Sequence, residues 1–223
     1  MITKISHFFL QRARFALIAA LVPLLCGVCQ ATAIAPGGIQ DPASSEPDPT
    51  IGASLVYSTG PVNFTAGTFS GTLTSSVWSN DASSPYGLDR LTFTYEIEND
   101  GDSPDDIGRL TVVDFNPFAT DASYFGSLGA TAPSSIKRSA NGMVMAFNFD
   151  IPGLAPAGSS SLLVVQTNAE FYQLSQASII DGSVVSVASV GPSTVEIPEP
   201  ASLVLFGLGG VGLLMVARRR RHS

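Results

Sequence analysis

The sequence predicts an all-β fold, an antiparallel β-sandwich over residues 51–196, and three observations lead there. Apolar and polar residues alternate with a period of two over several short runs. Gly, Pro, Asn and Asp punctuate the chain between those runs. The composition pairs 45% hydrophobic residues with only 13% charged ones, as expected where many short strands pack against one another. The 223 residues allow one or two domains, but both ends read as targeting segments. About 164 residues remain between them, enough for one core.

Alternation starts at Ile51. Phe69, Gly71, Leu73, Ser75 and Val77 alternate with Ser70, Thr72, Thr74, Ser76 and Trp78. In residues 91–98 the pattern is strict: Leu91, Phe93, Tyr95 and Ile97 share one face, and Thr92, Thr94, Glu96 and Glu98 share the other. That is the signature of a half-buried strand, with its threonines and glutamates facing outward. Met143, Met145, Phe147 and Phe149 form another apolar face, and residues 107–115, 161–166 and 183–190 read as three further strands. Turn signals separate them at residues 80–85, Asn99-Asp100-Gly101, Asn141-Gly142, Pro152-Gly153 and Asp181-Gly182. Seven or so short strands suit a sandwich, and an immunoglobulin-like topology is one arrangement open to it, since alternation cannot fix strand order. Residues 170–177 are the one stretch where a short helix fits. Residues 34–50 hold Pro36, Gly37, Gly38, Pro42, Pro47 and Pro49 with almost nothing apolar, and are expected to form a flexible linker.

The N-terminus reads as a signal peptide over residues 1–33. Lys4, Arg12 and Arg14 precede an apolar stretch at residues 15–28, and Ala31-Thr32-Ala33 supplies the small residues that signal peptidase requires, placing cleavage after Ala33. Both cysteines, Cys26 and Cys29, and one of the two histidines, His7, fall inside this segment. At the other end, residues 201–217 are an uncharged apolar run followed by Arg218, Arg219, Arg220 and Arg221. As a helix the run would be about 25 Å long, a short transmembrane span with its arginines on the cytoplasmic side.

The junction ahead of that span reads Ile197-Pro198-Glu199-Pro200-Ala201-Ser202. Together with the glycine-rich span and the arginine cluster, it resembles the PEP-CTERM sorting signal, a tail also labelled an ice-binding protein C-terminal domain. The resemblance implies recognition and cleavage by an exosortase, in bacteria that make exopolysaccharide. It implies transient anchoring in the inner membrane, then release of the domain to the cell surface or the extracellular matrix of a biofilm. Pro198 and Pro200 hold Glu199 in an extended backbone that cannot join the helix, a shape a protease cleft can bind. Residues 91–115 also resemble, diffusely, a sandwich domain common among PEP-CTERM cargo proteins.

Charge narrows the function. Residues 34–197 hold 4 basic and 17 acidic residues, a net charge of −13, which would repel a phosphate backbone and argues against nucleic-acid partners. With His7, His222 and both cysteines in the targeting ends, the central region has no residues for Ser-His-Asp or Cys-His catalysis or for the usual zinc sites. Asp100, Asp102, Asp105 and Asp106 crowd one turn. Such oxygen-rich loops can hold calcium, although the spacing departs from an EF-hand, and the same residues also suit a solvated acidic turn. Glu96 and Glu98, about 7 Å apart on one strand face, have a separation compatible with an acid/base pair and equally with two solvated charges. Trp78, Tyr57, Tyr86, Tyr124 and Tyr172 could stack on sugar rings or serve as core and rim residues. The reading is a non-enzymatic surface or matrix protein with a structural or adhesive role alongside exopolysaccharide, with a carbohydrate-binding module, calcium-dependent or not, as the alternative.

Overall fold

A computed structural model describes residues 33–196. The expected signal segment up to Thr32, and the sorting junction, apolar run and arginine cluster from residue 197 onward, lie outside the described residues. The described chain forms β1 (Ile39–Gln40), β2 (Ser54–Thr65), β3 (Ser70–Ser79), β4 (Thr92–Asn99), β5 (Arg109–Val112), β6 (Thr120–Phe125), β7 (Ser135–Arg138), β8 (Met145–Asn148), β9 (Leu162–Thr167), β10 (Phe171–Asp181) and β11 (Ser183–Ser193). One sheet has the order β1-β7-β8-β5-β10-β11 and the other the order β2-β3-β4-β9-β6. All neighbouring strands pair antiparallel. Eleven strands among the described residues exceed the seven or nine of an immunoglobulin domain.

Alternation does what the sequence requires of it on the inner faces. Phe93, Tyr95 and Ile97 of β4 are fully buried, as are Leu110 and Val112 of β5, Phe147 of β8 and Ile179 of β10, in one core cluster drawn from both sheets. Each such side chain contributes about 1.5–3 kcal/mol by leaving water. Phe93 meets Phe115 edge to face with centroids 6.1 Å apart. The Tyr95 hydroxyl donates to the Val190 carbonyl oxygen at 2.9 Å, so its polar tip is satisfied inside the core. The Ser75 and Ser189 hydroxyls lie 3.0 Å apart and hydrogen-bond between the sheets. Gly71 of β3 lies against β4, and a Cβ there would overlap the Glu98 carbonyl oxygen.

Three expectations need correction. Residues 170–177 are not helical. From Phe171 they open β10, which pairs with β11 over its whole length and with β5 only through Ala177 to Ile180, and the long ladder with β11 outweighs local helix preference. Residues 34–50 are not a linker, because they are stitched into both sheets. Ile34 is 6% exposed and its N–H donates to the Thr120 carbonyl oxygen at 2.9 Å. Ile39 and Gln40 pair with Lys137 and Ile136, the Ala43 N–H donates to the Ser134 carbonyl, and Ser45 bridges Tyr124. The prolines suppress regular structure locally, but β6 and β7 offer unpaired edges that this segment covers. Finally, Thr92 and Thr94 are not on an open face: they are 0% and 3% exposed, Thr92 bonded to Asp81 of the chain after β3 and Thr94 to the Trp78 side chain of β3.

Arg138 at the end of β7 is the knot of this arrangement. It is 5% exposed and donates to four carbonyl oxygens, those of Gly142 (3.1 Å), Ile34 (2.9 Å), Phe115 (2.9 Å) and Phe118 (2.7 Å). Burial lowers its pKa from the ordinary guanidinium value. Replacing Arg138 with Met leaves these carbonyls unpaired, and is expected to cost the chain about 3–5 kcal/mol. Urea titration should show the midpoint falling with little change in slope. A variant as stable as the parent would remove Arg138 from this role.

Candidate functional site

The acidic turn between β4 and β5 is shaped by hydrogen bonds within the turn and to its neighbours. Asp100 Oδ2 accepts from the Ser70 hydroxyl at 2.7 Å. Asn99 Nδ2 donates to the carbonyls of Asp105 (3.0 Å) and Leu154 (2.9 Å), and Ser103 Oγ donates to the Asp105 carbonyl at 3.1 Å. Asp100, Asp102 and Asp105 are exposed, and Asp106 is half-buried. Asp105 and Asp106 lie near Asp181 of β10, whose pKa is raised first by burial and then by these two charges. Among the described residues no group of three or more His, Cys, Asp or Glu side chains is placed to hold a metal ion, so the four aspartates do not converge as a ligand cage.

The other candidates disperse. Glu96 and Glu98 are exposed on the outer side of β4. Glu98 accepts from the Thr72 hydroxyl at 3.4 Å, and the pKa of Glu96 is raised by partial burial and by Glu98. Tyr57 stacks on Tyr172 with centroids 5.4 Å apart, and both, with Tyr124, pack against the core. Trp78 Nε1 donates to Thr94 Oγ1 at 2.9 Å. Of the expected cleavage residues, Ala31 lies outside the described residues. Ala33 is exposed and immediately precedes buried Ile34. A cleft of about 340 Å³ lies here, lined by Ala33, Pro36, Asn116, Phe118, Thr120 and Arg138 among others. The Arg138 guanidinium at its wall is already committed to backbone carbonyls.

The feature that strand alternation concealed lies on the outer side of the five-stranded sheet. Thr92, Gln166 and Asp121 stand opposite one another across β4, β9 and β6. Asp81 follows β3 and folds back over them. It is 1% exposed, and its carboxylate accepts four bonds: from the Ser83 N–H (2.8 Å) and hydroxyl (2.6 Å), the Thr92 hydroxyl (2.8 Å) and Gln166 Nε2 (2.9 Å). Asp121 is as deeply buried at 2% exposed, yet both its carboxylate oxygens lack a hydrogen-bond partner, as do Gln166 Oε1 and the Tyr86 hydroxyl. The pKa of Asp121 is pushed up to about 7, by burial first and then by Glu46, with the nearby Ala122 N–H opposing weakly. Glu46 is itself raised by burial, against the Ser123 hydroxyl and with a smaller push from Asp81. Burial and Asp121 push Tyr86 up to about 12. The one local signal was Asp81-Ala82-Ser83, the spacing of a side-chain-to-backbone turn; Asp121 had none.

Residues 196–221 match the model of the PEP-CTERM protein-sorting motif. The chain carries a PEP-CTERM sorting motif. The matched stretch includes Pro198, Glu199, Pro200 and the arginines at 218–221. A PEP-CTERM tail marks its chain for exosortase processing and for sorting to the cell envelope or surface. No curated protein and no solved structure matches the chain, so the PEP-CTERM motif is the only part placed by comparison.

Asp121 has a folded pKa of about 7 against an ordinary value of 3.8. An acid raised in this way stabilises the fold below its unfolded pKa, and that contribution is lost as pH rises through about 7. In chelator-containing buffer the parent chain is therefore expected to lose up to about 4 kcal/mol between about pH 4 and pH 8 relative to an Asp121→Asn variant. Urea titrations of both across that range check it, and parallel profiles would contradict the assignment.

Proposed function

We propose that this chain is a non-enzymatic surface or matrix protein, released from the inner membrane by an exosortase, in which the two sheets form a β-sandwich serving structure or adhesion alongside exopolysaccharide. The sorting motif at residues 196–221 carries the reading. Two features support the non-enzymatic part. Residues 33–196 contain neither His nor Cys, which removes the commonest nucleophile and base pairings. The exposed carboxylates lie on strand faces and a turn, held by local hydrogen bonds. A net charge of −13 over residues 34–197 suits a hydrated matrix rich in counter-ions, where acidic surfaces and acidic polysaccharide are bridged by cations.

The test is fractionation of the host. In cells with a working exosortase, the domain should be found in the surface or matrix fraction without residues 201–223. Deleting the exosortase, or changing Pro198, Glu199 and Pro200 together to Ala, should leave the chain in the inner membrane at full length. Unchanged release in either background would refute the reading.

A further inference from the structure

The outer side of the five-stranded sheet gathers more buried acceptor oxygens than the donors hydrogen-bonded there satisfy. Asp81 is saturated by its four donors, and this fixes the Gln166 amide: Nε2 must face the Asp81 carboxylate, which only accepts, so Oε1 is turned away from it. Asp121 is the residue opposite Gln166 on the next strand, with side chains about 5 Å apart at Cβ in such pairs. Three buried acceptor oxygens, two from Asp121 and one from Gln166, are thus left without a donor. Glu46, from the N-terminal segment, adds a second negative charge within electrostatic reach of Asp121. Of the basic groups, Arg138 spends its N–H groups on backbone carbonyls. Among the described residues the ion pairs are those of Arg90 with Asp89 and Glu170, and neither includes Asp121 or Glu46. Buried charges are normally paired or bound to a metal, and each orphaned buried acceptor is costly.

We propose that this cluster binds a hard divalent cation, calcium by its chemistry, through the Asp121 carboxylate, Gln166 Oε1 and Glu46, with water completing the shell. The donor set is all oxygen, which disfavours zinc and the softer metals. Two carboxylates and an amide carbonyl in an irregular arrangement suit calcium, which accepts six to eight oxygens in flexible geometry, better than magnesium, which demands an octahedron. The charged and titratable groups facing the site are Glu46 from the N-terminal segment, Asp81 and the neutral phenol of Tyr86 from the chain after β3, and Arg138 from β7. A bound ion would cross-link β6, β9 and the N-terminal segment. This site is separate from the acidic turn at residues 100–106.

The test uses the full chain in mild detergent, stripped with chelator and titrated with calcium chloride while Tm is followed. Terbium luminescence excited through tyrosine gives a second readout, Tyr86 being the aromatic beside Asp121. Saturating calcium should raise Tm by about 5–10 °C at a hundredfold excess over Kd, and magnesium should do far less. Asp121→Asn and Glu46→Gln should each abolish the response, and Glu46, only half-buried, guards against a folding failure of the first. A double change of Asp102 and Asp105 to Asn should leave it intact. The proposal falls if the parent shows no saturable response, or if the response follows Asp102 and Asp105 instead of Asp121 and Glu46. It also falls if Tm rises on acidification but ignores calcium, for then a proton alone satisfies the cluster.

Discussion

The structure depends on how its N-terminal segment closes the open side between the two sheets. Sheets packed face to face leave edge strands whose N–H and C=O groups invite foreign pairing. Here β6 ends one sheet, and β7 would nearly end the other. Residues 34–46 run along both, bonding to Thr120 and Tyr124 on one side and to Ser134, Ile136 and Lys137 on the other. Arg138 locks the start of that run through the Ile34 carbonyl, and with the same guanidinium ties down Phe115, Phe118 and Gly142. A buried charge in this position gains no carboxylate partner. It is solvated by peptide dipoles instead, which satisfies the requirement that buried polar groups be hydrogen-bonded.

The five-stranded sheet is consequently covered on its inner side, and on its outer side around Thr92, Asp121 and Gln166, in different ways. Its inner face is apolar and meets the other sheet through Phe93, Tyr95 and Val77. Its outer face is polar and meets the chain around Asp81 and Glu46. The two coverings make different demands: apolar packing tolerates substitution of similar shapes, whereas a buried polar layer must satisfy every member or lose stability. Asp81 meets that condition and Asp121 does not, and the difference between these two aspartates marks the second layer as the chemically unusual part of the molecule.

Much of the fold was legible because the signals were local. Phe93, Tyr95 and Ile97 lie on the core side where a period of two placed them, and the Asp181-Gly182 turn joins β10 to β11 with Gly182 at φ 59°. The sorting motif was legible for the same reason, being a short peptide read in sequence by the enzyme that processes it. What stayed hidden was decided by partners far along the chain. Residues 171–177 became strand through β11. The proline-rich stretch after Ala33 was ordered by edges that lie about 80 to 100 residues later. Thr92 and Thr94 kept the polar character of an outward face while being buried, Thr92 bonded to Asp81 and Thr94 to Trp78, and alternation cannot tell a solvated polar face from a buried one. Asp121, in a strand of mixed character, carried no mark of its surroundings.

The separation of 104 residues between Ile34 and Arg138 bears on the order of assembly. Residues 34–46 are made early, yet their partners on β6 and β7 are made long afterwards, and loop closure over such a span is among the slower steps of folding. The β2-β3-β4 meander can pair as soon as it emerges, while the clasp that finishes the molecule must wait. A polypeptide built this way stays unfinished while most of it is being made, and becomes resistant to unfolding only once its later strands can meet its beginning.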